Sequence, residues 1–158
     1  MYQQISHKVK ILTYRHIQCK NLVMEEFKVP CGRILGSLPF SYQWRWDNAL
    51  HVVAVSFEEA RAAEVWQALK MEFDGEWDFL TIMGARESLS SYLRSAAGVF
   101  PGQTVFTLEG ESGLVLFAPW WPWGEGDKTS LRIGIFSPNG QDLDPTELET
   151  CLTTWFAV

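Results

Sequence analysis

The chain of 158 residues has few of the features that mark secreted, membrane-spanning or disulfide-stabilised proteins. Its first ten residues, MYQQISHKVK, contain neither the apolar core nor the cleavage site of a secretory signal. No apolar run approaches the roughly 18 to 20 residues that a membrane-spanning helix needs. The three cysteines are an odd number at irregular spacing, and no Asn-x-Ser/Thr sequence occurs. We therefore expect a soluble, cytoplasmic protein with reduced thiols and no membrane association.

The sequence also lacks the motifs of common catalytic and phosphate-binding sites. Gly110–Gly113 resembles part of a serine-nucleophile motif, but Leu114 stands where that motif needs its last glycine. Gly124–Ser130 resembles the end of a phosphate-binding loop, but Asp127 stands where glycine should precede the lysine. No reaction can be assigned to these patterns. They favour a protein that is not an enzyme, although they leave an enzyme open as the alternative.

Residues that bind metals or transfer protons occur without the spacing of a known site. His16 and Cys19 are three positions apart, but distant residues would have to complete a zinc site, and on a strand the two side chains would point to opposite faces. The acidic run Asp74, Glu76 and Asp78 lacks the distal glutamate of a calcium loop and is typical of a solvated turn. We predict neither a metal ion nor another cofactor.

The net charge of −6 argues against a general nucleic-acid-binding protein. The charge is nevertheless unevenly spread. Residues 1–46 carry seven basic and two acidic side chains, a balance of +5, so the remainder carries −11. This division indicates either a basic N-terminal segment that meets an acidic partner or two segments that neutralise each other. A single-stranded nucleic acid on a face with Lys8, Lys10, Trp44 and Arg45 is a further possibility, but Arg45 faces away from Trp44 on a strand.

Alternating or nearly continuous apolar patterns predict a sheet of about five to seven strands. The predicted strands are Lys8–Ile17, Phe40–Trp46, Leu50–Phe57, Trp77–Met83, Gln103–Leu108, Leu114–Ala118 and Ser130–Phe136. The stretch Asn21–Pro39 is interrupted by proline and glycine, and it leaves room only for a short strand or two. On the strand Phe40–Trp46, the aromatic residues Phe40, Tyr42, Trp44 and Trp46 share one face.

Three segments have the apolar spacing of helices. They are Glu58–Phe73, Ala85–Ala97 with Gly98 as its C-terminal cap, and a last helix that Asp144 and Pro145 begin. Short connections between the closing strands favour antiparallel pairing, and a crossover from Leu50–Phe57 to Trp77–Met83 would make the sheet mixed. The sequence thus predicts a single α+β domain over residues 1–158, with a mainly antiparallel sheet and one layer of helices packed on it.

The segment around Trp120, Trp121 and Trp123 is the most unusual feature of the sequence. Prolines and glycines surround these tryptophans, which predicts a loop. Leaving three indoles in water would be unfavourable, since burial of a large apolar side chain contributes about 1.5 to 3 kcal/mol. Either the loop folds back to close one end of the core, or its rings form a docking surface, where tryptophan is enriched.

These observations favour a non-enzymatic protein-binding module with an adaptor, assembly or regulatory role. It would dock through the aromatic loop, the basic N-terminal segment or both, on another protein or on a second copy of itself. The predicted contact residues are Trp120, Trp121, Trp123, Arg45 and Trp46. The alternative is a small-molecule-binding protein or an enzyme of unknown reaction, with a pocket lined by Tyr42, Trp44 and Trp46 or by the tryptophan loop.

Overall fold

A computed structural model describes residues 23–39, 41–123 and 127–158, and this part of the chain has an α+β fold, as predicted. Its six strands are β1 (Arg45–Asp47), β2 (Val52–Glu58), β3 (Gly75–Asp78), β4 (Thr104–Glu109), β5 (Val115–Trp123) and β6 (Lys128–Phe136). Its four α-helices are α1 (Lys28–Ser37), α2 (Ala62–Glu72), α3 (Glu87–Tyr92) and α4 (Pro145–Phe156). None of the helices in the described ranges has the length and apolar character needed to span a membrane.

The described strands form one sheet in the order β1-β2-β6-β5-β4-β3, and all neighbours are antiparallel. The crossover from β2 through α2 to β3 does exist. It creates no parallel pair, however, because β6, β5 and β4 lie between its two strands. The mainly antiparallel sheet predicted from the short connections is therefore confirmed.

The alternation of side chains along the strands divides the apolar core into two clusters. Val53 and Ile133 belong to the larger cluster, which α1, α2 and α4 cover as one helix layer. Val52 and Phe117 point to the opposite side of the sheet, called here the second face, where α3 and the π-helix Leu93–Ala97 cover them. Helix α3 therefore lies on the opposite side of the sheet from the other three, and the described residues contain four α-helices rather than the three that the sequence predicted.

Helix α4 begins and packs as its sequence predicts. The Asp144 side chain accepts a hydrogen bond from the Thr146 backbone N–H at 2.8 Å, and Pro145 occupies the first turn, where its missing N–H is not needed. The apolar residues at helical spacing all face the sheet. They are Leu148, Cys151, Leu152 and Trp155, and each is buried.

The prediction of strands over Asn21–Pro39 is wrong, because this stretch contains α1 and a preceding 3₁₀ turn, Glu25–Phe27. Pro30 lies in the first turn of α1, where proline is tolerated. The glycines lie on the outer side of the helix, since a Cβ atom added at either would meet nothing within 4 Å. The buried residues Phe27, Cys31, Ile34 and Leu38 follow at intervals of four, three and four, as in an amphipathic helix.

The prediction of a loop around the tryptophans is also wrong, because β5 extends without interruption to Trp123. Two local arrangements accommodate its prolines. The pairing of β5 with β6 skips residues 118 and 119 and resumes at Trp120, so Pro119 lies at a gap in that ladder. The pairing of β5 with β4 ends at Trp120, so among the described strands Pro122 has one neighbour, β6, and proline is tolerated on such an edge.

Two further predicted strands are shorter than expected. The strand at Trp77–Met83 ends at Asp78, whose Oδ1 accepts hydrogen bonds from the N–H groups of Leu80 and Thr81 and closes a turn. The strand at Phe40–Trp46 is reduced to β1, although its aromatic residues Tyr42, Trp44 and Trp46 do share the helix-layer face, as predicted. Phe40 and the predicted strand Lys8–Ile17 lie outside the described residues.

Candidate functional site

The alternation along β5 separates the three tryptophans that the sequence brought together. Trp120 points into the helix layer and is only 6% exposed. Its ring centroid lies 5.3 Å from that of Phe57 and 5.0 Å from that of Trp66. Trp120 is therefore a core residue, which corresponds to the core-closing role that the sequence left open.

Trp121 and Trp123 have different positions. Trp123 is 55% exposed at the end of β5, and the half-buried Trp121 lies two residues before it on the same side of the strand. Since Leu116 and Trp120 point into the helix layer, Trp121 and Trp123 belong to the second face. A rigid strand, rather than a loop, therefore presents these two rings.

The two remaining predicted contact residues, Arg45 and Trp46, are adjacent on β1 and therefore also point to opposite faces of the sheet. Trp46 pairs with Val53 and packs, partly buried, against the helix-layer core. Arg45 pairs with Ala54, which in turn pairs with Arg132 of β6, and it is exposed on the second face. The structure thus brings Arg45 to the same face as Trp121 and Trp123, and it places Trp46 and Trp120 on the other.

Arg132 is the residue at this site that sequence reasoning missed. It is 9% exposed, and its guanidinium carbon lies 4.3 Å from the ring centroid of Trp121, a cation–π distance. One terminal nitrogen, Nη1, donates a hydrogen bond to the Ser130 hydroxyl at 3.0 Å. The signal was present in the sequence, because Arg132 is the one charged residue in the apolar run from Leu131 to Phe136.

The charge of Arg132 is only partly balanced. Among the described residues, the carboxylate paired with it is that of Asp47, whose Oδ2 lies 3.8 Å from Arg132 Nε, which is beyond hydrogen-bond length. The other oxygen of Asp47 accepts bonds from the N–H groups of Ala49 and Leu50, which fixes the carboxylate in the β1–β2 turn. Burial lowers the pKa of Arg132, Asp47 raises it, and Arg45 lowers it again.

The second face therefore has two parts. The apolar part, which includes Val52 and Phe117, is covered by α3 and the π-helix. Next to it lies a group of basic and aromatic side chains that we call the aromatic–basic strip. The strip consists of Arg45, Trp121, Trp123, Lys128 and Arg132.

A small cavity lies at the border between the two parts of the second face. It has a volume of about 40 Å³ and is lined by Arg132, Trp121, Tyr92, Leu50, Val52, Phe117 and Pro119. Two N–H groups of its lining side chains, Arg132 Nε–H and Trp121 Nε1–H, are buried without a hydrogen-bond partner. Both of these groups are donors.

Four exposed apolar side chains lie at the end of the sheet where β3 ends and β4 begins. This apolar end patch consists of Phe79, Leu80, Met83 and Phe100, which are between 51% and 82% exposed. Trp120 pairs with Thr104, and Thr104 pairs with Asp78. The C-terminal ends of β3 and β5 therefore lie at the same end of the sheet, measured along the strands. The patch and Trp123 therefore belong to one end of the molecule.

The residues that the sequence offered as acid–base groups or metal ligands have other roles or lie outside the described ranges. Asp78 closes its turn through Thr81, and the backbone hydrogen bond from Thr81 lowers its pKa. Glu76 forms an ion pair with Lys70. Within the described ranges no group of histidine, cysteine and acidic residues could hold a metal ion, and His16 and Cys19 lie outside those ranges.

The two described thiols are protonated at neutral pH. Burial, with Glu72 adding to it, raises the pKa of Cys31 far above its ordinary value. Burial also raises the pKa of Cys151 to about 11, and Glu25 and Glu147 act in the same direction. Neither group is therefore the thiolate that a nucleophile or metal ligand requires.

An apolar groove lies on the other side of the molecule. It has a volume of about 730 Å³ and runs between the end of α1, the segment before β1 and the end of α4. Tyr42 and Trp44 line it, and the Tyr42 hydroxyl and the Trp44 indole nitrogen are buried without hydrogen-bond partners. Two members of the aromatic row that the sequence placed in a possible pocket are thus found at a groove.

Comparison of this chain with protein-family models, with curated proteins and with solved structures finds no match.

Proposed function

We propose that the protein is a non-enzymatic protein-binding module that docks through the aromatic–basic strip. The exposure of Trp123 on a rigid strand carries this proposal. An exposed indole gains free energy when a partner covers it, and a strand loses little conformational entropy when it binds. Trp121 lies two residues before this ring on the same face, Lys128 is its cross-strand partner on β6, and Arg45 lies further along the same face of the sheet. Aromatic residues and arginine are enriched in protein interfaces, and charged side chains give an interface its specificity.

The apolar end patch supports the same proposal. It places four large apolar side chains at the end of the sheet where Trp123 also lies. Clustered exposed apolar residues are typical of surfaces that another molecule covers. A partner that meets this end of the molecule could bury the patch and Trp123 together, and a second copy of the chain would satisfy the same requirement.

Site-specific photo-crosslinking in cells of the source organism tests the proposal. A photoreactive phenylalanine analogue replaces Trp123 in one variant and Met71 in the other. Met71 is a suitable control because it is an exposed apolar residue on α2, away from the strip. We expect a discrete adduct from position 123 and none from position 71.

The mass of the adduct identifies the partner class. An adduct of twice the chain mass indicates a homodimer, and any other discrete protein mass indicates a heterologous partner. Trp123→Ser should then abolish co-purification of that partner, whereas Met71→Ser should not. Equal labelling from both positions, or none from position 123, would reject docking through the strip.

A second candidate function is binding of a small apolar ligand in the groove beside Tyr42 and Trp44. The two buried polar groups without partners favour it, since a ligand with polar atoms could satisfy them. Gly36 lines this groove and has open space around it, so Gly36→Leu would fill the groove. Gly84→Leu is the matched control, because Gly84 also has open space but does not line the groove.

An environment-sensitive anilinonaphthalene dye provides the measurement for this candidate. The wild type and the Gly84→Leu variant should bind the dye saturably, and Gly36→Leu should not. If the wild type shows no saturable binding, or all three proteins bind the dye equally, the groove is not a ligand site.

A further inference from the structure

Two side chains that line the small cavity of the second face carry buried N–H groups without a hydrogen-bond partner. Buried polar groups in folded proteins are almost always hydrogen-bonded, and an unpaired donor is costly. Arg132 and Trp121 line one cavity, and each contributes one buried donor without a partner. Because neither group can accept a hydrogen bond, the missing partner has to supply acceptor oxygens.

The charges around the cavity indicate what kind of acceptor fits. Arg45 and Arg132 contribute two positive charges, and the adjacent Asp47 contributes one negative charge, which leaves a local balance of +1. One monovalent anion would neutralise this balance, whereas a dianion would exceed it and repel Asp47. The third basic residue of the strip, Lys128, is already paired with Glu58 at 4.0 Å.

The shape of the cavity restricts the ligand further. Its volume of about 40 Å³ suits a group of a few atoms. The remaining wall residues include Leu50, Val52 and Phe117, which are apolar and would contact a short hydrocarbon stem. A planar carboxylate matches the fork of an arginine side chain and is a monoanion at neutral pH.

We propose that this cavity is a binding site for a single carboxylate group with a short apolar stem. Its oxygens would accept hydrogen bonds from Arg132 Nε–H and Trp121 Nε1–H. A glutamate or aspartate side chain of the docking partner and a free small carboxylic acid share this chemistry. The assignment to a partner side chain rests on the proposed function, whereas the carboxylate site itself does not.

The two donor groups can be observed directly in ¹H–¹⁵N correlation spectra of the ¹⁵N-labelled full chain. Sodium acetate is titrated against sodium chloride at constant ionic strength, in slightly acidic buffer where arginine Nε–H protons exchange slowly enough to be seen. We expect saturable shifts of the Arg132 and Trp121 side-chain signals. The signal of the exposed Trp123 indole serves as an internal reference and should respond no more than it does to chloride.

Variants and a second anion complete the test. Arg132→Lys should weaken acetate binding by about tenfold or more, because lysine lacks the planar fork. Arg61→Lys, a change on an exposed side chain of the turn before α2, should leave it unchanged. If Arg132→Lys disturbs the dispersed spectrum, the wild-type signals of Trp121 still decide the outcome. Sulfate, which is a dianion at this pH, should bind more weakly than acetate.

The results separate the site from the docking proposal, because acetate binding needs no partner protein. Absence of saturable shifts would overturn the proposal, and so would tighter binding of sulfate than of acetate. Saturable shifts together with the loss in Arg132→Lys would establish the carboxylate site, even if crosslinking at position 123 fails. Blocked glutamate, N-acetyl-glutamic acid α-methylamide, then identifies the carrier. Tighter binding than acetate assigns the group to a partner side chain, and equal or weaker binding assigns it to a free acid.

Discussion

Neighbouring tryptophans on β5 have opposite roles because successive side chains of a strand point to opposite faces. Trp120 stabilises the core, and Trp123 is available for contact with another molecule. Residue type alone makes the two indoles equivalent. They differ in burial because both lie on a strand, and the prolines beside them had predicted a loop instead.

Substitution of these two residues should therefore have unequal effects on stability. Trp120→Ala removes a ring that packs between Phe57 and Trp66, and we expect it to lower the free energy of unfolding by about 3 to 5 kcal/mol. Trp123→Ala should change it by less than about 0.5 kcal/mol, as is usual for exposed positions. Urea denaturation of both variants measures the difference. Similar losses in both would contradict the division of the two rings between core and surface.

Gly134 illustrates a second effect at the residue scale, close packing across a strand. A Cβ atom at this position would lie 2.6 Å from Cγ1 of Val52 and 2.8 Å from Cε1 of Phe117. We expect Gly134→Ala to destabilise the fold by about 1 to 3 kcal/mol through overpacking. In the matched variant Gly36→Ala, the new methyl group meets open space on α1, and stability should stay equal or rise. Thermal unfolding compares the two, and an unchanged Tm for Gly134→Ala would contradict the tight contact.

At the scale of elements, the sequence predicted those segments whose local signals and tertiary environment agree. Helix α4 has an N-cap, a proline in its first turn and four apolar residues at helical spacing, and it was predicted correctly. Helix α1 was missed because proline and glycine were counted as breaks without regard to position. Its buried spacing from Phe27 to Leu38 was available in the sequence. The length of β5 could not be predicted, since tolerance of Pro119 and Pro122 depends on where its neighbouring strands end.

The site was predictable only in part, for a similar reason. Arg45, Trp121 and Trp123 were identified from residue type alone. Their assembly on one face depends on the pairing of β1 with β2 and of β2 with β6, which brings residues far apart in sequence together. Arg132 belongs to the site through the same register; its position as the one charged residue in an apolar run marks it in the sequence, but does not show which residues it meets.

Helix α1 also introduces a dependence of stability on pH. The folded state holds Cys31 protonated because burial raises the pKa of its thiol. The stabilising contribution is complete below the ordinary thiol pKa of about 8.5 and is lost as the pH rises above it, since unfolding then releases a proton. We expect the free energy of unfolding to fall by up to about 1.4 kcal/mol per pH unit for this group.

Comparison of the wild type with Cys31→Ala isolates this effect. The variant loses some packing at neutral pH, but its free energy of unfolding should fall less steeply between neutral pH and about pH 10. Guanidinium denaturation at several pH values measures both slopes. Parallel slopes would show that the thiol of Cys31 already ionises in the folded protein.

At the scale of the whole molecule, one sheet contributes to both apolar clusters. Val52 and Val53 are adjacent on β2 and belong to different clusters, so both clusters pack on the same strands. We expect the two clusters to unfold in one cooperative transition. Tryptophan fluorescence and far-UV circular dichroism should give the same urea midpoint. Two separate midpoints would contradict the single domain predicted from the sequence.

The sheet tapers from nine residues in each of the central strands β5 and β6 to three in β1 and four in β3. The outer strands of the described sheet therefore expose only short rows of backbone donors and acceptors. Short outer strands resist the edge-to-edge pairing with further strands that leads to aggregation. They also offer few hydrogen-bonding groups to a partner that binds by extending a sheet. We therefore expect a docking partner to contact the side chains of the described sheet rather than to extend the sheet through its backbone.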